Sequence, residues 1–187
     1  MAFQCEDDLE STYVFNNYKI SVTPQASFSV NDTIWINGNV SSLVFDTATN
    51  DSIFPGWPQG DEIAVMKFMQ PTQSSNCKDA INNFEIITPV GAVTFLPVCE
   101  NGQMIAHPEI SIDSSFYRYK IGLKALHTGD FVLSWSHGVL TNANRNEYIA
   151  DDYPMAVHPN QLGFDKCGNV SWRFVNESDK EFYFRVE

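Results

Sequence analysis

The ten residues Phe116–Ala125, FYRYKIGLKA, decide the fold. Tyr117, Tyr119, Ile121 and Leu123 alternate with Arg118, Lys120, Gly122 and Lys124. In an extended chain successive side chains point to opposite faces, so a period of two predicts a strand with one apolar face and one wet face. Such one-sided strands belong to antiparallel sheets, since parallel sheets bury both faces and read as continuous apolar runs.

The same period recurs on both sides of this stretch. YKISV sets Tyr18, Ile20 and Val22 on one face, and TIWINGNV sets Ile34, Ile36 and Val40 opposite Trp35, Asn37 and Asn39. Further strands are expected near residues 43–46, 62–69, 84–88, 92–98, 131–136, 170–175 and 181–186. About ten short strands separated by turn residues predict an all-β, antiparallel sandwich. Ile34, Ile36, Tyr119, Ile121, Leu123, Leu133 and Trp135 are the expected core, with Trp172 in phase with it, and Lys120 and Lys124 are expected outside. Helical periodicity is confined to one turn near CKDAINNFEII and another near NANRNEYIADDY. The longest stretch without a clear strand runs from Gly138 to Gly168, a long decorated loop of a length often tied to function. Residues 1–17 read as a polar N-terminal tether and residues 18–187 as a single domain, long enough for a proper core.

Composition narrows the partners. The chain of 187 residues carries 11 basic and 23 acidic residues, a formal charge of −12. Nucleic acid and anionic membrane surfaces both require a clustered positive field, and neither is an expected partner. Four cysteines, Cys5, Cys77, Cys99 and Cys167, show neither a C-x-x-C pair nor zinc spacing. Cys77 and Cys99 flank one strand-rich segment and are expected to form a disulfide, the alternative being two buried thiols. A disulfide implies an oxidising, extracytoplasmic compartment.

The hairpin IGLKALHTGDFVLSW resembles the late strand pair of bacterial immunoglobulin-like and fibronectin-like modules. The shared step is Leu126, Gly129, Asp130 and Phe131, and the resemblance implies an immunoglobulin-like sandwich. Phe131 stands where many such modules carry a tyrosine whose hydroxyl ties the corner. The stretch CEDD resembles the start of mature bacterial surface lipoproteins, although Gln4 departs from the small residue usual before that cysteine. The resemblance implies that Cys5 is the lipid attachment point and that Glu6, Asp7 and Asp8 form a surface-sorting signal. Membrane contact would then be through the lipid anchor alone, on the outer-membrane surface, with a periplasmic or secreted protein as the alternative. A Cys5–Cys167 bridge is the competing fate of that cysteine.

Motifs of catalysis are lacking: there is no G-x-S-x-G elbow, phosphate loop or H-E-x-x-H helix. His107, His127, His137 and His158 are scattered. Candidate ligand contacts are Trp57, presented in GWPQGDE as an indole able to stack on a sugar ring or to plug the end of the sandwich, and Asp151, Asp152 and Tyr153 in ADDYPM. No cofactor is expected; calcium at Asp151 and Asp152 is the one metal reading, against a solvated acidic turn. The expected function is therefore a non-enzymatic cell-surface module that binds an envelope protein or a glycan. A structural accessory subunit of an envelope assembly and a hydrolase with a site in residues 138–168 are the alternatives.

Overall fold

The computed structural model describes residues 12–142, 145–175 and 179–187. Its strands are β1 (Tyr13–Val14), β2 (Tyr18–Val22), β3 (Ser27–Phe28), β4 (Thr33–Ser41), β5 (Val44–Asp46), β6 (Asp51–Ile53), β7 (Asp61–Phe68), β8 (Cys77–Asp79), β9 (Phe84–Val90), β10 (Ala92–Phe95), β11 (Gln103–His107), β12 (Glu109–Ile110), β13 (Phe116–Ala125), β14 (Gly129–Trp135), β15 (Gly138–Leu140), β16 (Gln161–Lys166), β17 (Asn169–Phe174) and β18 (Glu181–Val186). Both expected helical turns are present as short 3-10 segments, Ile81–Asn83 and Glu147–Asp152.

Two large sheets carry the fold. A six-stranded sheet has the order β12-β13-β4-β2-β15, with β9 pairing a further length of β13. A nine-stranded sheet has the order β17-β16-β8-β7-β14-β18-β3, with β11 on β7 and β10 beyond it. A small third sheet, β1-β5-β6, includes Tyr13 and Val14 from the expected tether. The all-β class is as expected, but the sheets are mixed. β15 runs parallel to β2, β16 to β8 and β18 to β3. These partners lie far apart in sequence, and alternation within a strand carries no information about the direction of a neighbour that arrives from a distant part of the chain.

The register of FYRYKIGLKA is the expected one. It pairs with β4 from Phe116↔Ser41 to Lys124↔Thr33, and Tyr117, Tyr119, Ile121 and Leu123 are buried. Together with Ile20, Ile34 and Ile36 they meet Ile63, Val65, Phe131, Leu133, Trp135, Phe182 and Phe184 of the facing sheet. Burying side chains of this size is worth about 1.5–3 kcal/mol each. Lys120 and Lys124, expected to be exposed, are half-buried: Lys120 lies along the Trp35 ring and Lys124 pairs with Glu85 at 3.0 Å.

The nine-stranded sheet is covered on its other face too. Met66, Phe68, Cys77, Val132 and Tyr183 pack there under Ile149 and Ala150, with Leu162 and Phe164 alongside. Residues 138–168 are thus not one long loop, for they contain β15, a 3-10 turn that roofs this second core, and β16. β15 is only three residues and β16 is interrupted by Gly163, so neither shows a readable period. Trp172, expected in the core, is 47% exposed on the end strand β17, where its indole N–H donates to the Ser74 carbonyl at 2.8 Å.

The expected Cys77–Cys99 bond is not formed. Cys99 is bonded to Cys167, 68 residues away with their Cα atoms 5.4 Å apart, and Cys77 is a free thiol buried in the second core. The reason is the direction of β8, which points Cys77 inward, while the turn after β16 brings Cys167 to the Cys99 turn. The backbone N–H of Cys167 is held there by Asp79 Oδ2 at 2.8 Å. The alternative Cys5–Cys167 bridge is closed by the same pairing.

Candidate functional site

The outward face of the six-stranded sheet is built by strand register. One row across it runs Glu109, Arg118, Asn39 and Lys19, on β12, β13, β4 and β2. The next row runs Val90, Lys120, Asn37 and Ser21. A third contains Ile87, Gly122 and Trp35. A Cβ on Gly122 would come within 2.7 Å of the Trp35 ring, so the glycine lets the indole lie across the sheet. Lys120 Nζ sits 4.6 Å from the centroid of that ring. The register against β9 shifts between Lys120 and Gly122, an irregularity of the kind that re-aims side chains at a sheet surface.

The result is an open groove of about 440 Å³ lined by Asn37, Asn39, Val90, Phe116, Arg118 and Lys120. Asn37 and Asn39 are exposed, and among the described residues neither side-chain amide makes a hydrogen bond. Each amide offers both donors and an acceptor. Arg118 meets Glu109 at 3.5 Å, with both side chains about half exposed. A surface pair of that kind is worth about 0–1 kcal/mol and is readily exchanged. The groove therefore presents unspent amides and displaceable cations beside apolar carbons.

The residues singled out in the sequence lie elsewhere and apart from one another. Trp57 packs on Phe15 at 5.2 Å and Tyr13 at 6.2 Å, leaves half its surface to solvent, and edges a small hollow with Tyr18 and Tyr117. Asp152 and Tyr153 line a separate groove of about 520 Å³ with Gln70 and Gln73. There the Tyr153 hydroxyl is spent on Asp130 at 2.7 Å, its ring stacks on Phe68, and Asp152 pairs with Arg185 at 3.4 Å. Asp151 is exposed and does not line this groove. Among the described residues the one trio with metal-ligand spacing is Asp79, Cys99 and Cys167, whose sulfurs are bonded to each other. Cys5, Glu6, Asp7 and Asp8 lie outside the described residues.

No histidine hydrogen-bonds a carboxylate among the described residues. His107 meets the Thr94 hydroxyl at 2.8 Å, His137 meets the Gln59 amide at 3.0 Å, and His158 lies against Trp172. Inside the sandwich, the carboxyl of Asp61 is strongly perturbed. Burial pushes its carboxyl up to about 7, while the Tyr119 hydroxyl and the His137 backbone amide pull the other way. Asp130 lies lower than usual: burial raises it, but Arg185 and Tyr153 outweigh that.

No helix among the described residues is long and apolar enough to cross a membrane. Comparison with protein-family models, curated proteins and solved structures finds no match to this chain. The groove residues Asn37, Asn39, Arg118 and Lys120 were legible in the sequence only as the wet face of two strands. The available signal was the double Asn-x-Asn and Arg-x-Lys pattern, which acquires meaning once the register aligns the two.

Proposed function

We propose that this chain is a non-enzymatic binding module that takes a glycan across the open face of its six-stranded sheet. The observation that carries the proposal is the pair of exposed amides, Asn37 and Asn39, without side-chain partners among the described residues, in a groove of about 440 Å³. Sugars present hydroxyls that need both donors and acceptors, which amides supply. Phe116 and Val90 offer apolar carbon for the ring faces. The immunoglobulin-like resemblance of the Leu126–Phe131 hairpin belongs to the same reading, with Phe131 packed between Phe84 at 4.9 Å and Phe184 at 5.5 Å rather than tied by a hydroxyl.

A glycan array with the purified chain is the test. Binding that is lost in the Asn37→Ala/Asn39→Ala double variant, with an unchanged melting temperature, supports the proposal. Binding that survives the double variant and vanishes in Trp57→Ala would move the site to the Trp57 hollow. Absence of any bound glycan would overturn the reading.

The proposal places the module at the bacterial surface, anchored through Cys5 with Glu6, Asp7 and Asp8 as the sorting signal. The pairing of Cys167 with Cys99 supports it by removing the bridge that competed for Cys5. Labelled palmitate should enter the full-length protein made with a functional leader, and Cys5→Ala should release it from membranes. A structural subunit of an envelope assembly is the second reading. It is favoured by Val14 and Phe45, register partners on the small sheet that are 52% and 40% exposed. Co-purification of a fixed envelope protein that is lost in Phe45→Ser would establish it.

A further inference from the structure

We infer that the glycan bound on the six-stranded sheet is an acidic one, with a carboxylate or sulfate held by Arg118 and Lys120; the inference rests on the glycan reading above. Strand residues on this face contribute four cations, Lys19, Arg118, Lys120 and Lys124, against two carboxylates, Glu85 and Glu109. That is a local excess of two positive charges in a chain whose formal charge is −12. A face serving only solubility would follow the acidic balance of the whole.

The arrangement also sets like charges side by side, and the sheet itself offsets this only with the Trp35 ring under Lys120 and the half-exposed Glu109 beside Arg118. Arg118 and Lys120 are two residues apart on one face of β13, about 7 Å at the backbone, and Lys19 ends the Arg118 row two strands away, about 10 Å. Among the described residues Lys120 has no ion pair and Lys19 has none. Arg118 has only the half-exposed Glu109 at 3.5 Å. An incoming carboxylate can displace Glu109 and receive the guanidinium fork in its preferred bidentate geometry.

The amides select the kind of anion. Asn37 lies beside Lys120 and Asn39 beside Arg118, so each cation is flanked by a group that binds neutral hydroxyls. A chain of sugars bearing occasional acidic groups matches that alternation. A densely charged polyanion does not, because the surrounding acidic protein repels it beyond the few cations of this face.

The experiment is an array in which each uronic- or sialic-acid oligosaccharide, and each sulfated one, is printed beside its carboxyl-reduced or desulfated counterpart. The acidic members should bind roughly tenfold or more tightly than their neutral counterparts, the worth of one charge-assisted hydrogen bond. Arg118→Ala and Lys120→Ala should abolish that preference, and raising the salt should weaken acidic binding selectively. Glu109→Gln should tighten it by freeing Arg118, a gain that damage to the fold does not produce. Equal binding of acidic and neutral members, still lost in the Asn37→Ala/Asn39→Ala variant, would overturn the acidic inference and leave the glycan reading standing. Binding of neither would overturn both.

Discussion

The Tyr119 hydroxyl donates to Oδ2 of Asp61 at 2.7 Å, across the space between the two large sheets. Both residues are buried, and Asp61 Oδ1 has no hydrogen-bond partner among the described residues. Tyr119 has room to reach because its register partner on β4 is Gly38, whose missing side chain leaves space for the ring. The bond is a polar link within a largely apolar interface, and it ties the two halves of the sandwich in one relative position.

Asp61 should make stability depend on pH in a distinctive direction. Its folded carboxyl is raised from 3.8 to about 7, so between those values the folded chain holds a proton that the unfolded chain has released. The contribution is fully present below about pH 4 and is lost as pH rises through 7. Urea unfolding across this window should show the wild type losing stability relative to Asp61→Asn as pH rises. Parallel curves for the two proteins would count against the burial of an acidic Asp61.

Tyr119→Phe should cost about 1–3 kcal/mol, the penalty for leaving a buried polar group without its donor. Gly38→Ala should be destabilising through a different cause, since the added methyl would strike the Tyr119 ring and force a repacking worth about 1–3 kcal/mol. Chemical denaturation of the two single variants measures both.

The Cys99–Cys167 bond closes a long stretch of chain, 68 residues in sequence separation. In the chain-entropy account such a loop contributes roughly 4 kcal/mol. Reduction should lower the melting temperature, and non-reducing peptide mapping should recover a Cys99–Cys167 peptide. Cys77 should resist alkylation until the protein unfolds, because its thiol is buried and burial pushes its pKa up. Rapid labelling of Cys77 in the native protein would contradict its place in the second core.

Asp130 and Arg185 form a forked pair with contacts of 2.6 and 2.9 Å, and Tyr153 donates to the same carboxylate. The folded carboxyl is depressed, so its contribution is present above the unfolded value near 3.8 and is lost as pH falls through the lower folded value. Arg185→Ala should cost about 1–3 kcal/mol at neutral pH and much less in strong acid. Acid titration of the melting temperature for both proteins supplies the check.

Ile121→Ala should cost about 2–5 kcal/mol, because Ile121 is wholly buried between the sheets and truncation leaves a cavity there. Thermal and urea unfolding of that variant would test the register of the strand from which the fold was read.

The inward sets of FYRYKIGLKA, TIWINGNV and YKISV were legible in the amino-acid sequence because a strand's period of two is a local property, set by residues next to one another. Ile34, Ile36, Tyr119, Ile121, Leu123, Leu133 and Trp135 are all buried for that reason. What lies opposite each strand is not local. The parallel partners β2–β15, β8–β16 and β3–β18, the choice of Cys167 over Cys77 as the partner of Cys99, and the exposure of Trp172 all follow from chain segments that meet across long loops. The binding face belongs to this second kind. Asn39 and Arg118 are 79 positions apart in the chain and became neighbours only when β4 and β13 paired, since side-chain chemistry converges through cross-strand register and not through adjacency in sequence.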